Sequence, residues 1–308
     1  MKYYIGIDGG GTKTNCILTD ENLNVLAEHT NGSGAFLIHG TDEVVEKFHN
    51  SISECITTAK INHKNISAIV IGCAGAGTPE NAEKLRTAFL KYSLSQGINY
   101  SNINVTGDAV IALEGAFSGK PGAILIAGTG SVLFGKDNDN QIHRIGGAGR
   151  IIGDEGSGFI IGQKALNAVF RYFDGRGQET SLTDILNTEL DINNIETFID
   201  KIYNVNVCPS KIAPFVIKAA ENDDQVSIHI LEEQALELAK HVQVMQKKIT
   251  GKLYLSFMGG LLSNNYYRNL VKKLVNILAP GTEVKEPENS PVTGAVILAK
   301  NFSKTYDK

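Results

Sequence analysis

What this chain lacks removes several classes of function. Its four cysteines, Cys16, Cys55, Cys73 and Cys208, include no pair at CxxC spacing and come with no histidine cluster. Zinc and iron–sulfur sites are therefore disfavoured, and reduced, partly buried thiols are expected. No apolar run approaches the roughly 18 residues that a membrane-spanning helix needs. No signal-peptide pattern precedes the first strand-like run at Tyr3, so a cytoplasmic location is expected. Positive charge is not in excess: 29 Lys plus Arg stand against 33 Asp plus Glu, a net charge of −4. That balance gives no electrostatic reason to expect nucleic acid or an anionic membrane as partner. Low-complexity tracts are missing too, although 32 of 308 residues are glycine. The glycines must then serve turns and close approaches rather than a flexible linker.

At 308 residues the chain is long enough for two domains with ordinary cores. Residues 3–7 read as a short apolar strand and residues 15–20 as a second, with IGIDGGGTKT (5–14) spanning the turn between them. Val44, Val45, Phe48, Ile52 and Ile56 have helical spacing. Residues 68–73 form a buried strand leading into Ala74-Gly75-Ala76-Gly77, after which Thr78 and Pro79 open a helix. A strand over 103–105 ends at Thr106-Gly107-Asp108, and a helix follows from about 109 to 117. The pattern then restarts. Residues 123–127 are a strand, Gly128-Thr129-Gly130-Ser131 a turn, and residues 132–135 a strand, and the polar turn 137–140 echoes that at 20–24. A repeated strand, glycine turn and strand implies two similar α/β halves facing one cleft. A helix over 157–173, a mostly helical stretch over 180–248, a strand over 252–258 ending in Gly259-Gly260, and a last helix near 292–301 complete the reading.

Three glycines in a row cost chain entropy on folding, so something must approach that backbone closely. A Walker A loop is excluded. Gly6 and Gly11 have its spacing, but Thr12 stands where its lysine belongs, Lys13 comes one late, and the turn enters a β-branched strand rather than a helix. The dinucleotide fingerprint fails on spacing and on the same missing helix. What remains is a β-hairpin whose N–H groups, with Thr12 and Lys13, grip phosphate oxygens. A plain tight hairpin needs only one or two glycines, and two such hairpins can clamp a phosphate chain from both sides.

Three further features point to chemistry. Asp8, ending the first strand, is either a turn carboxylate bonding local amides or an anchor for Mg²⁺, which prefers carboxylate, water and phosphate oxygens. Asp108 is either the N-cap of the helix after it or a general base that accepts the proton of an attacking hydroxyl. The segment GGAGRIIGDEGSGFIIG (146–162) holds seven glycines in seventeen residues around Asp154-Glu155. Carboxylates beside bare backbone suit a ligand rich in hydroxyls.

Taken in order, IGIDGGGTKT, GDA, AGTGS, IGDEGSG and FMGGLL resemble the motifs of actin/hexokinase-type ATPases. Within that group they are similar to the BadF/BadG/BcrA/BcrD ATPase family and its N-acetylglucosamine kinase branch, over the whole chain. The resemblance implies an α/β protein of two ribonuclease-H-like (actin-like ATPase) domains flanking a nucleotide and sugar cleft. Residues 1–107 with the C-terminal helix 290–308 would form the first domain and 108–289 the second. It implies ATP and Mg²⁺, with the γ-phosphate passing to the 6-hydroxyl of an amino sugar, and a homodimer as the assembly. Carried over motif by motif, Asp8 falls on the metal, and Gly9, Gly10, Gly11, Thr12 and Lys13 on the first phosphate loop. Gly128, Thr129 and Gly130 fall on the second loop, and Gly259 and Gly260 near the adenosine. Asp108 falls on the base, and Gly147, Ala148, Gly149 and Asp154, with Asp108, on the sugar.

Two departures concern the sugar. Family kinases often carry an Asn in the loop that corresponds to 32–36, which here reads GSGAF, and can carry a Ser in the loop after the third strand, which here reads GCAGAG. Glucosamine or another hexose is therefore the alternative substrate. Two other functions compete. A dehydratase activator of the same family would need cysteines near the second hairpin to hold an iron–sulfur cluster, and residues 74–207 contain none. A sensor that has lost catalysis would not need both Asp8 and Asp108.

Overall fold

The computed structural model of the protein describes residues 2–306. It contains β1 (Tyr3–Gly9), β2 (Lys13–Thr19), β3 (Val25–Gly32), α1 (Phe36–His39), α2 (Thr41–Ala59), β4 (Ile66–Cys73), α3 (Pro79–Ser95), β5 (Ile103–Gly107) and α4 (Asp108–Ala116). There follow β6 (Gly122–Ala127), β7 (Ser131–Lys136), β8 (Ile142–Gly146), α5 (Gly158–Phe173), α6 (Leu182–Leu190), α7 (Ile195–Ile199), α8 (Ala213–Ala220) and α9 (Gln225–Gln246). The chain closes with β9 (Tyr254–Met258), α10 (Asn265–Leu278), β10 (Glu283–Val284) and α11 (Pro291–Tyr306).

Two compact units emerge, Met1–Lys120 with Glu286–Lys308, and Pro121–Lys285. The first division lies one helix later than the sequence led us to expect. α4 was assigned to the second domain, yet it packs against α11 within the first unit. Close backbone approach holds the two helices: a Cβ on Gly294 would stand 2.0 Å from the Ile111 carbonyl oxygen, and one on Gly115 2.4 Å from that of Ser290. Residue 1, and residues 307 and 308 of the expected C-terminal helix, lie outside the described residues.

The first unit is built on a five-stranded sheet of order β3-β2-β1-β4-β5. β2 runs antiparallel to both β1 and β3, while β4 and β5 continue parallel to β1. Alternation along the strands gives each face its own core. Ile5, Ile7, Ile69 and Ile71 face Phe48 and Ile52 of α2 and Leu85 and Phe89 of α3. Tyr4, Ala68 and Val70 face Ile111 of α4 and Val292 and Val296 of α11.

The second unit repeats the arrangement as β8-β7-β6-β9-β10, with β8, β7 and β6 antiparallel and β9 and β10 parallel to β6. Its core joins Leu125, Leu133 and Phe257 of the sheet to Ile161 and Val169 of α5, Leu231 and Leu238 of α9, and Tyr267 and Val271 of α10. Both expected hairpins are present. β3, β8 and α10 were not foreseen: β3 buries only Ala27 and β8 buries nothing, so neither edge strand carries an apolar alternation. No described helix is long and apolar enough to cross a membrane.

Candidate active site

In the first unit the parallel strands β1, β4 and β5 end side by side, with Gly9 opposite Cys73 and Cys73 opposite Gly107. The carboxyl ends of parallel strands are where open α/β sheets bind ligands, and here loops knit that edge together. Ala74 N–H donates to the Gly9 carbonyl at 2.9 Å, and Gly34 N–H to the Gly10 carbonyl at 2.9 Å. The Cys73 thiol donates to the Gly34 carbonyl at 3.1 Å. The two loops that lack the family's Asn and Ser are thus bonded to each other and to the first hairpin turn.

That turn is closed by Gly10 N–H donating to the Lys13 carbonyl at 3.0 Å. The N–H groups of Gly11 and Thr12 find no acceptor among the described residues, and the side chains of Thr12 and Lys13 are exposed. The glycines have different causes. None of the three has positive φ. A Cβ on Gly9 would stand 2.8 Å from the Phe48 ring, while one on Gly11 would meet nothing within 4 Å. Packing explains Gly9 and leaves Gly11 as bare backbone toward solvent.

Asp8 is half-buried and accepts no hydrogen bond from the described residues. Burial, then the charge of Asp108, push its carboxyl up to about 6, against the opposing pull of Lys13. Asp108 is exposed, and its Oδ1 accepts from Ala109 N–H at 2.9 Å. It is the first residue of α4 rather than its N-cap; Gly107 holds the cap position without a side-chain bond. Cys73 beside them is an inert thiol, pushed up to about 12 by burial, with both aspartate charges adding. No group of three or more His, Cys, Asp or Glu side chains able to hold a metal occurs among the described residues. An unpartnered carboxylate beside a second one nevertheless suits Mg²⁺, which takes one or two carboxylates and fills its shell with water and phosphate.

In the second unit, Gly128 N–H closes the other hairpin turn on the Gly130 carbonyl at 2.9 Å, and again two successive N–H groups, of Thr129 and Gly130, find no acceptor among the described residues. Gly128, Thr129 and Gly260 line one cavity of about 700 Å³, whose apolar walls are Pro214, Ile217 and Leu261. Three of the expected nucleotide residues, from two distant motifs, therefore meet. Sequence reading missed the α8 wall. Gly259 is conformational, with φ +92° and the space of its Cβ taken by Ala127. At Gly260 a Cβ would meet nothing within 4 Å.

The glycine-rich segment after β8 winds back on itself. Gly153 N–H donates to the Gly149 carbonyl at 2.8 Å. Gly147 and Gly149 have positive φ, and a Cβ on Gly147 would stand 2.6 Å from Val132. Ala148 is exposed and packs against Gly153. Asp154 was expected among sugar hydroxyls. Its carboxylate lies against the second hairpin turn, where a Cβ on Gly130 would be 2.9 Å from Oδ2. Further bonds join the segment to that turn: Ser131 Oγ donates to the Glu155 carbonyl at 2.6 Å, and Gly158 and Phe159 N–H donate to the Gly128 and Thr129 carbonyls at 2.8 and 3.2 Å. A larger cavity of about 1330 Å³ runs along α5 and α9, past Lys164 and Arg171, and touches none of the expected site residues.

Residues 5–299 match the BadF/BadG/BcrA/BcrD ATPase family. The chain is 34% identical to the N-acetylmuramic acid/N-acetylglucosamine kinase of Clostridium acetobutylicum, covering 98% of this chain and 99% of that one. It is 29% identical to the N-acetyl-D-glucosamine kinase of Dictyostelium discoideum, over 98% of each. A solved structure from Chromobacterium violaceum has the same fold at 24% identity, with a TM-score of 0.69 over 97% of this chain and 99% of that one.

Proposed function

The chain belongs to the BadF/BadG/BcrA/BcrD ATPase family, and from that premise we propose that it is an ATP-dependent kinase that phosphorylates the 6-hydroxyl of an N-acetylated amino sugar, N-acetylglucosamine first. The observation that carries the reading is the placement of Asp8 near the end of β1 and of Asp108 directly after β5, on the same edge of one sheet with β4 between them and beside a bare-backbone turn, close enough that the Asp108 charge adds to burial in raising the Asp8 pKa. Phosphoryl transfer asks for little more than one carboxylate near the nucleophile, neutralised phosphate charge and positioning.

In this reading Asp108 takes the proton of the attacking hydroxyl. It is exposed, and one of its two oxygens is free of the backbone. Asp8 holds Mg²⁺, which when bound neutralises phosphate charge. The Gly11 and Thr12 N–H groups, with Lys13, take phosphate oxygens in the first unit. Thr129 and Gly130 N–H groups take them in the second, and Pro214, Ile217 and Leu261 enclose the base. Asp154 and the bare backbone at Gly149 receive ring hydroxyls. The Clostridium relative also acts, by its name, on N-acetylmuramic acid, so that sugar belongs among the substrates to be tried.

A coupled assay of ATP with N-acetylglucosamine, N-acetylmuramic acid, glucosamine and glucose tests the proposal. Phosphorylation of an N-acetylated sugar is the expected result, and turnover of none of the four overturns it. The same reading carries a homodimer, which sedimentation tests.

A further inference from the structure

We propose that Arg150 is the cation of the second phosphate turn, binding the phosphate oxygens of a nucleotide seated in the 700 Å³ cavity. The proposal rests on the reading above only in taking a nucleoside polyphosphate as that cavity's ligand.

The need for a cation comes from comparing the turns. The first contains Lys13. The second, AGTGS over 127–131, contains no charge of either sign, and the carboxylate of Asp154 lies against Gly130. A polyphosphate drawn onto the free Thr129 and Gly130 N–H groups would meet that anion uncompensated.

Arg150 is placed to compensate. It is exposed and makes no hydrogen bond or ion pair among the described residues. Its guanidinium lies over the Phe159 ring, 5.4 Å from the centroid. A guanidinium held over an aromatic ring without a hydrogen-bond partner keeps its N–H donors for phosphate or carboxylate, which it can grip with two parallel bonds. Phe159 is itself bonded to the turn, its N–H on the Thr129 carbonyl, and its neighbour Gly158 lines the cavity. On a second side the positive charge reaches Cys208, whose thiol is lowered first by its bonds to Ser210 and then by Arg150 and Lys211. Ser210, two residues on, lines the same cavity. The guanidinium is thus bounded by two segments that reach the cavity wall. Lys218 lines the cavity as well, but on α8, one turn from Glu221, which also lines it.

The test measures binding of ADP with Mg²⁺, inorganic tripolyphosphate and adenosine by calorimetry, with no sugar present. Arg150→Ala should weaken ADP and tripolyphosphate by about 5- to 20-fold, as expected for an exposed charge-assisted contact, and leave adenosine unchanged. Arg150→Lys should recover part of the loss. In turnover, the KM for ATP should rise by the same factor while the sugar KM stays. Alkylation of Cys208, the one described cysteine that is not buried, gives a reading independent of activity: ADP should slow it in the wild type and change it little in Arg150→Ala. Unchanged ADP affinity, an equal loss for adenosine, or a loss confined to the sugar KM would overturn the proposal. A melting temperature within about 2 °C of wild type confirms that the variant is folded. A chain that phosphorylates none of the sugars yet binds ADP through Arg150 would refute the substrate assignment and leave this inference standing.

Discussion

The two hairpins share a backbone and differ in charge. Each ends β1 or β6 in a glycine turn with two free N–H groups, and each closes its far end the same way. Asp20 Oδ1 accepts from Asn22 and Asn24 N–H at 2.8 and 2.9 Å, and Asp137 Oδ1 accepts from Asp139 and Gln141 N–H at 2.9 Å each. Leu23 and Asn140 take the same left-handed conformation in these turns, with φ of +67° and +61°. Yet where the first strand ends in Asp8 the second ends in Ala127, and only the first turn carries a lysine. At the second turn the carboxylate comes from a separate segment, Asp154 against Gly130, and the same segment carries Arg150 over the ring of Phe159, whose N–H bonds the Thr129 carbonyl. The lesson is that geometry for holding an anion can be duplicated by backbone alone, while the chemistry is set by which charges are brought to it.

The largest expected effect breaks this contrast in the first unit. Asp108→Asn should lower kcat by about 10² or more while ATP and sugar binding change only a few-fold, as for loss of a general base; a kcat within threefold of wild type would remove the chemical step from Asp108. Next, Gly260→Val should raise the KM for ATP by about tenfold, near 1.4 kcal/mol. The new side chain meets no protein atom within 4 Å of its Cβ, so the melting temperature should hold, and a normal ATP KM would place the nucleotide elsewhere. Asp154→Asn should raise the sugar KM by about tenfold, the scale of one charge-assisted hydrogen bond, while the KM for ATP falls slightly because a like charge leaves the second turn. A change in the ATP term alone would reassign Asp154 to the phosphate turn.

Asp8 gives a prediction with the opposite sign for stability. Its folded pKa, about 6, lies above the ordinary 3.8, so between these values the folded state holds more protons than the unfolded one. Stability from this group is fully present below about pH 4 and is lost as pH rises through 6. Discounted for partial exposure, the cost at neutral pH is about 1–2 kcal/mol. Asp8→Asn should raise the melting temperature at pH 7.5, leave it unchanged at pH 4, and weaken the Mg²⁺ dependence of activity. No gain at pH 7.5 would mean that neither burial nor Asp108 raises Asp8. Smallest are Asp20→Ala and Asp137→Ala, each of which should lower the melting temperature slightly. The second should do so more, because Asp137 Oδ2 bonds the part-buried His143 Nε2 at 2.7 Å, whereas the matching Asp20 Oδ2 accepts from the exposed Asn24 side chain at 2.9 Å. Equal losses would show the His143 bond to be worth no more than the Asn24 bond.

Much of the fold was legible because its signals are local. Short continuous apolar runs ending in glycine loops gave β1, β4 and β6, and Pro79 after Thr78 gave the start of α3, where the Thr78 side chain caps. α10 was legible and overlooked: Asn264 caps it, and Tyr267, Val271 and Val275 recur at every fourth position on its buried face. β3 and β8 were not legible, since polar edge strands are held by the ladder to their neighbours rather than by an apolar pattern of their own. At the site, Gly9 looked like a ligand-facing glycine and proved to yield to Phe48, a contact between segments far apart in the chain.

By itself the sequence determined the two hairpins, their bare turns and the carboxylates Asp8 and Asp108 at strand ends, because strand period, turn chemistry and residue identity are properties of adjacent residues. Only the tertiary structure decided which unit α4 joins, that Asp8 is raised by burial and then by Asp108, that Pro214, Ile217 and Leu261 wall the cavity at Gly128 and Gly260, that Asp154 lies against the second turn, and that Arg150 lies over Phe159. Each of these depends on burial or on charges brought together across the chain, and neither desolvation nor a Coulomb interaction between distant residues leaves a periodic mark in the sequence.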